Sequence, residues 1–542
     1  MSEVASAKQV PAAASPKDGR GIVDRINSRQ SEEIVVAFSG AVGCNLSEVV
    51  RSVKSHFEDY GYETKVIKIS DLIKDHFTKK FPAEILPTYA GVDLYSLQGK
   101  ARYTALQDLG DHLRSERDPK ILAALAMVEI STSREMLKDS KGSQKPLRSV
   151  YLIDQLKNPA EIELFKLVYG NLFYLVGVLS PQEVRLNQLT RVERISAPDA
   201  QALISRDRDD NKKYGQRLEK TIQRADYFIR NNHDNSSNLR APCERFVQLV
   251  HGKNGITPTY EESGMYAAFS ASLKSACLSR QVGAAIADKA GNVISLGWND
   301  VPKFGGGLYT SDDKGKDQRC IYHGGKCFND EYKSRLISDI VAIVEKQCKL
   351  STAGKEDLTN LILEETRAGS IIEYSRAIHA EMEAILGLAR HQGVSSNGCT
   401  LYTTTYPCHN CARHIIAAGI SRVVYIEPYE KSLAMELHDD AISTSPSEIS
   451  KTLFDSFEGV SPRKYSSFFF GRGERKDEQG LAVEVIKTDA RHIGVEFLDS
   501  YQDIEARVVK TYVESLRTPP PAVHSVAPPV GPVSDPPDTP AA

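Results

Sequence analysis

The chain has 542 residues, 41% of them hydrophobic and 26% charged, with a formal net charge of −3. That is too long for one domain, so two or three are expected, and the composition is that of a soluble globular protein. No apolar run approaches a membrane span, no secretory core opens the chain, and the near-neutral charge excludes bulk attraction to nucleic acid. Nine cysteines, an odd number, fit a reducing compartment rather than a disulfide framework, so the cytoplasm is the expected location.

Residues 1–29, rich in Ala, Pro, Lys and Asp without periodicity, are expected to be disordered. Glu33–Phe38 (E-I-V-V-A-F) reads as a buried strand. A turn follows, Ser39-Gly40-Ala41-Val42-Gly43-Cys44-Asn45-Leu46-Ser47, and then a helix through Phe57. In this setting backbone N–H groups and a helix N-terminus cradle phosphate. A second strand, Tyr62–Ile69, follows at βαβ spacing; Ser149–Asp154 ends in an acid, as a Walker B segment does; Asn171–Val178 is a further strand. Ser39, Gly40, Gly43, Cys44, Asn45 and Asp154 are therefore the candidate nucleotide-binding residues. Lys220–Asn231 resembles the closing segment of nucleoside-monophosphate-kinase-like domains.

The P-loop pattern calls for Gly-Lys-Ser/Thr, whereas this turn holds Gly43-Cys44-Asn45 and no lysine. Phosphoryl transfer would lose its main cation there. Arg102, Arg114, Arg117, Arg206 and Arg208 are the candidate substitutes. Nucleotide binding for regulation or assembly leads over residual kinase or NTPase activity and over a structural relic. Cys44 has no assignable base and is a poor nucleophile.

Farther on, Met265–Leu278 is helical, followed by Ser279-Arg280-Gln281-Val282-Gly283-Ala284-Ala285-Ile286 as a strand. A turn at Ala290-Gly291-Asn292 leads into a strand through Ile294–Trp298, ending at Asn299 and Pro302. Within the insertion after Pro302, Cys320, His323 and Cys327 have a spacing that suits a second, structural zinc. The alternatives are a pocket lining or buried small residues in a glycine-rich loop.

The chemistry concentrates in His379-Ala380-Glu381 and Pro407-Cys408-His409-Asn410-Cys411. Cys399–Thr405 reads as a strand, Cys408–Ala418 as a helix stopped by Gly419, and Ser421–Glu427 as the next strand. Cys408 and Cys411 then share the first helical turn, where the dipole favours thiolates. One imidazole and two thiolates balance Zn²⁺ and leave a fourth position open for water. A structural knuckle or a redox pair are the alternatives; His409 and His414 are alternative ligands, His409 out of phase with the cysteines. Residues i and i+2 of a regular helix face apart, so spacing alone does not aim Glu381 at the metal.

The ordered H-A-E…P-C-x-x-C pair, Gln281-Val282-Gly283-Ala284 and Gly297-Trp298-Asn299 resemble the cytidine/deoxycytidylate deaminases. The pairing with a kinase-like first half resembles the bacterial anti-phage dCTP/deoxycytidylate deaminases. That likeness runs from about Glu33 to Phe470 and includes Arg148–Gly177 and residues 427–432. The resemblance implies an α/β chain with two parts. A P-loop nucleoside-kinase-like domain (30–238) precedes a three-layer α/β/α zinc deaminase domain (239–516) and a Pro-rich disordered tail (517–542). It implies a hydrolase acting on C–N bonds of dCMP or dCTP and depleting dCTP in antiviral defence. His379, Cys408 and Cys411 would be metal ligands, Glu381 the proton shuttle from water to N3 and the leaving amine, and Asn299, Ala380 and Val282 substrate contacts. Asn299 as an ordinary turn residue is the alternative. A homo-oligomer is expected, with a nucleotide or RNA as candidate regulator. A polynucleotide deaminase acting on tRNA or single-stranded DNA and a catalytically silent nucleotide-sensing scaffold are the rival readings; the former calls for a basic groove, and the intact His, Glu and Cys residues oppose the latter.

Overall fold

The computed structural model describes residues 22–79, 87–136, 148–208, 215–232, 237–348, 351–390, 394–427, 432–470 and 475–499. Residues 428–431, the tail 517–542 and the side chain of Arg208 lie outside the described set. Among the described residues, no helix is long and apolar enough to cross a membrane.

The strands in chain order are β1 (Ile34–Gly40), β2 (Glu63–Lys68), β3 (Ser149–Asp154), β4 (Phe173–Leu179), β5 (Tyr227–Arg230) and β6 (Gly283–Ala287). They continue with β7 (Val293–Trp298), β8 (Thr400–Thr405), β9 (Arg422–Glu427), β10 (Ile442–Ser443), β11 (Thr452–Ser456) and β12 (Gly459–Val460). Two six-stranded sheets result, ordered β12-β5-β4-β1-β3-β2 and β10-β11-β9-β8-β6-β7. In the first, β5, β4, β1, β3 and β2 run parallel. Every residue of β1 is buried, as a central parallel strand covered on both faces requires. With β1 central and the glycine-containing turn at its C-terminal end, this is the kinase-like arrangement that the sequence implies.

In the second sheet β6 and β7 form an antiparallel hairpin, β6 pairs antiparallel with β8, and β8, β9, β11 and β10 run parallel. Two glycines set its layers. A Cβ on Gly283 would lie 1.9 Å from Ala268 O, on the helix Tyr260–Ser272. A Cβ on Gly297 would lie 2.1 Å from Ala380 O and 2.4 Å from Ala384 N, on the helix Ala380–Arg390. Gly297 opposes Ala284, the neighbour of Gly283, so the two glycines point to opposite faces. A helix therefore lies on each face, giving the expected three layers.

The division expected at 238/239 does not follow the packing. The helix Ser237–Val250 contributes Leu239, Cys243, Phe246 and Val247 to the core between the first sheet and the helix Leu46–Asp59. Strand β12, from the far end of the second half, pairs antiparallel with β5 and so completes the first sheet. A continuous apolar core joins Phe228 of β5 and Phe457 to Met265 and Ala268 beneath the second sheet. Charge follows the same route. Arg230 pairs with Asp455, which Arg422 holds at 2.8 Å while also reaching Glu261 at 2.7 Å. The fully buried Glu262 takes Arg245 at 2.6 Å and the Val460 N–H at 2.9 Å.

The terminal segment also differs from expectation. Ile22–Asn27 is a short helix, and Arg29 holds Asp499 through two hydrogen bonds of 3.0 and 3.1 Å.

Candidate active site

Strand β8 delivers Pro407 and Cys408 to the start of the helix His409–Ala417. Cys408 itself is the extended N-cap residue, so the helix begins one position later than the sequence pattern places it. Cys411 is the third helical residue. His379 likewise precedes its helix, Ala380–Arg390. Because His379 lies outside regular helix, the i, i+2 objection to Glu381 does not apply: the carboxylate turns to the same point. Two helix N-termini thus converge, and their aligned amide dipoles favour negative charge there.

His379 Nδ1 lies 3.2 Å from Cys411 Sγ and 3.3 Å from Cys408 Sγ, and Cys411 Sγ donates to Glu381 Oε2 at 3.4 Å. The ligand atoms of His379, Cys408 and Cys411 all lie within 4.8 Å of one another, and among the described residues they form the one such group of three. Tetrahedral zinc, with bonds of roughly 2.0 Å to nitrogen and 2.3 Å to sulfur, sets nitrogen and sulfur roughly 3.5 Å apart. The donor set therefore fits the ion in element, number and spacing.

The electrostatics agree. A hydrogen bond from Cys411, reinforced by His379, brings the Cys408 thiol down to about 4. Burial pushes Cys411 well above the ordinary thiol range, with Cys408 and Glu381 adding to it. Burial acts to lower His379, but the Cys408 hydrogen bond and charge prevail and raise it to about 9. Burial raises Glu381, against the pull of His379. A cluster this rich in negative groups and this dry calls for a cation before both sulfurs ionise together.

The group opens into a cavity of about 390 Å³, within the range of small-molecule sites. Val282, Asn299, Ala380 and Glu381 all line it. The Asn299 carboxamide is engaged by main chain: Oδ1 accepts from Val282 N at 2.7 Å and Nδ2 donates to Arg280 O at 2.9 Å. Its evident work is to fix the Arg280–Val282 wall. Among the described residues Glu381 is the single carboxylate on the lining, while Arg280 and Lys333 are cations on it. Sequence reasoning missed both cations: Arg280 sits in an irregular link, and Lys333 belongs to the insertion helix Phe328–Cys348.

The proposed second metal group does not assemble. His323 Nδ1 is turned to Gln318 Oε1 at 2.9 Å, and Cys327 Sγ meets Ser279 Oγ at 3.4 Å. Cysteine and histidine spacing in a glycine-rich loop does not fix side-chain direction.

Beside β1 a second cavity, about 410 Å³, is lined by Gly43, Cys44, Asn45 and Asp154. Ser39 and Gly40 do not line it, and the Ser39 hydroxyl is spent on Leu156 O at 2.8 Å. Burial pushes the Cys44 thiol up to about 12, so it is no nucleophile. The Val42 N–H donates to Asp207 Oδ2 at 2.7 Å, and Asp207 also pairs with Lys157. An internal carboxylate thus occupies an amide of the turn. Among the candidate arginines, Arg102 lines the cavity; Arg114 does too but is held by Glu161 and Asp111. Arg206 is paired with Asp108 and Asp111, and Arg117 is not on the lining. Lys68 and Lys157, which the sequence reading did not single out, supply the other cations.

Residues 258–427 match the model of the cytidine and deoxycytidylate deaminase zinc-binding region. The deoxycytidylate deaminase of Enterobacteria phage T4 is 33% identical over 165 residues, covering 30% of this chain and 76% of that protein. A UPF0200 protein of Saccharolobus islandicus is 25% identical over 221 residues, 41% of this chain and 95% of its own length. Among solved structures, the apo dCMP deaminase of cyanophage S-TIM5 matches with TM-score 0.21 and 17% identity, covering 37% of this chain and 99% of that one. Through its second sheet and the residues gathered there, the chain belongs to the cytidine and deoxycytidylate deaminase family.

Proposed function

We propose that the chain hydrolyses the 4-amino group of deoxycytidine nucleotides, dCMP or dCTP, to give deoxyuridine nucleotides, and that in a phage-infected bacterium the outcome is depletion of dCTP. The observation that carries this is the buried Glu381 carboxylate set against the His379, Cys408 and Cys411 donor atoms at the wall of one cavity. Zinc held by those three residues would supply Lewis acidity, bringing a water's pKa toward neutrality. Glu381 accepts one proton from the attacking water and delivers it to ring N3; it then takes the remaining proton from the new C4 hydroxyl and passes it to the departing amine, so that the C4–N bond breaks, ammonia leaves and a carbonyl stands at C4. Burial raises the Glu381 pKa, which suits a group that must both take and give a proton. Asn299 holds the wall formed by Arg280–Val282 against the substrate. Arg280 and Lys333 on the lining, the latter also paired with the exposed Asp330 at 3.1 Å, support a phosphorylated substrate over a nucleoside or free base. In the same reading the first sheet's cavity takes a regulatory nucleotide, supported by the turn after β1 and the acid Asp154. Nine unpaired cysteines support a cytoplasmic setting.

The test is incubation of the purified chain with deoxycytidine, dCMP, dCTP, CTP and a cytosine-bearing oligonucleotide, with products separated by chromatography. Deoxyuridine nucleotides should form from dCMP or dCTP. Glu381→Gln should cut turnover by about a thousandfold while elemental analysis still finds zinc. Turnover confined to the oligonucleotide, or native rates in Glu381→Gln, would defeat the proposal.

A further inference from the structure

We infer that Gln107 recognises the base of a nucleotide bound in the cavity beside β1. This rests on the reading of that cavity as a regulatory nucleotide site and adds what the ligand must present and which side chain reads it. Gln107 is 3% exposed, and neither its Nε2 nor its Oε1 has a hydrogen-bond partner among the described residues. Gln216, 7% exposed, leaves its Oε1 equally unpartnered. Both line the same cavity. A buried carboxamide with both ends unmade is disfavoured in a finished core, where such groups are nearly always paired. Three unpartnered carboxamide atoms on two side chains facing one cavity mark a place where a ligand supplies the partners.

The chemistry of the walls says which ligand. A carboxamide offers one donor and one acceptor side by side, the complement of a nucleobase edge. Ile73, Leu106 and Leu122 line the same cavity and give a flat ring apolar faces. Gln107 and Arg102 share the helix Gly99–Glu116, five residues apart, roughly 7.5 Å along its axis at 1.5 Å per residue. Arg102, Lys68 and Lys157 all act on Asp154, so the cavity's cations gather at the ends of β2 and β3. Neither Lys68 nor Arg102 is in an ion pair among the described residues, so both remain available to phosphate. They stand in for the cation that the turn lacks. Base edge at Gln107, phosphates at Lys68 and Arg102: that is the length and polarity of one nucleotide. Gln216 Oε1, an acceptor, adds a site for a base amine or a sugar hydroxyl.

The experiment is calorimetric titration of the full chain with dATP, dGTP and dTTP, none of which carries cytosine, and with inorganic tripolyphosphate as a phosphate-only probe. Each is repeated on Gln107→Leu and Gln107→Glu. At least one of the three nucleotides should bind the native chain. Gln107→Leu should weaken that binding at least about tenfold, the usual worth of a two-point contact to a base. It should leave tripolyphosphate binding unchanged and melt no lower than the native chain, since it removes two unpaired buried polar atoms. Gln107→Glu, which keeps the shape but loses the donor, should shift the preference among the three bases. Native-like affinity and preference in both variants would overturn the assignment of Gln107 while leaving the nucleotide site standing. Failure of the native chain to bind any of the three would overturn the site reading and this inference together.

Discussion

Replacing Glu262 by alanine tests whether the two sheets are one cooperative structure. The side chain is fully buried and accepts from Val460 N at 2.9 Å, Thr259 N at 2.8 Å and Arg245 Nη2 at 2.6 Å. Val460 is wholly buried in β12, so its N–H would lose its acceptor with no water to replace it, at about 1–3 kcal/mol. Thr259 and Arg245 are partly exposed and regain water, so each adds about 0.5–1 kcal/mol. The sum is about 2–5 kcal/mol, a substantial part of a typical folding free energy of about 5–15 kcal/mol. Denaturant titration measures it with two probes. The chain has a single tryptophan, Trp298 at the end of β7, so its fluorescence reports the second sheet, while far-ultraviolet circular dichroism reports both. Both transitions should move together to lower denaturant in Glu262→Ala. A midpoint within about 0.5 kcal/mol of native, or a shift in one probe alone, would refute the argument that Glu262 ties β12 and β5 to the second sheet.

Three further outcomes follow from the geometry. Gly297→Ala should lower stability by about 1–3 kcal/mol and turnover by tenfold or more, because its Cβ would press on Ala380 O and Ala384 N and displace the helix that carries Glu381; denaturation and initial rates check both. Arg280→Ala and Lys333→Ala should each raise KM for dCMP about tenfold with a smaller change in kcat, and steady-state kinetics that show the reverse split would contradict phosphate contact. His251 should make the protein acid-sensitive. Burial lowers its pKa to about 3, with Nδ1 donating to Val247 O at 2.7 Å and Nε2 accepting from the Tyr62 hydroxyl at 3.2 Å. It stays neutral when folded but protonates near 6.5 when unfolded, so its contribution is intact above pH 6.5 and is lost as pH falls. About 2 kcal/mol should be gone by pH 5. Stability measured against pH should show that slope in the native chain and a flatter one in His251→Gln.

What the sequence disclosed depended on how local the cause was. The zinc-type donors were legible because one histidine and two cysteines at fixed spacing, next to a strand and a helix start, leave few chemical uses. Gly283 and Gly297 stood in motifs that already suggested the hairpin, and the structure adds the reason: helix backbone passes where a Cβ would be. The boundary at 238 failed because Phe246 and Val247 look alike in sequence whichever sheet they cover. Strand β12 is two residues long and owes its existence to the free edge of β5, a partner 230 or so residues away, so no period announces it. The cations of the cavity beside β1 escaped notice for a similar reason: Lys68 ends β2 and Lys157 follows β3, and only the parallel sheet brings them to one mouth. Cys320, His323 and Cys327 show the opposite error, a suggestive spacing without the geometry to support it.

The borrowed strand also constrains how the molecule can be divided. A fragment ending before β11 would present the main-chain donors and acceptors of β5 to solvent, an invitation to edge-to-edge pairing between copies. A fragment starting after the helix Ser237–Val250 would uncover Met265 and Ala268 and strand Arg422 and Asp455 without Arg230. Either half made alone should therefore self-associate, and the two halves expressed as separate chains should find each other through that strand exchange.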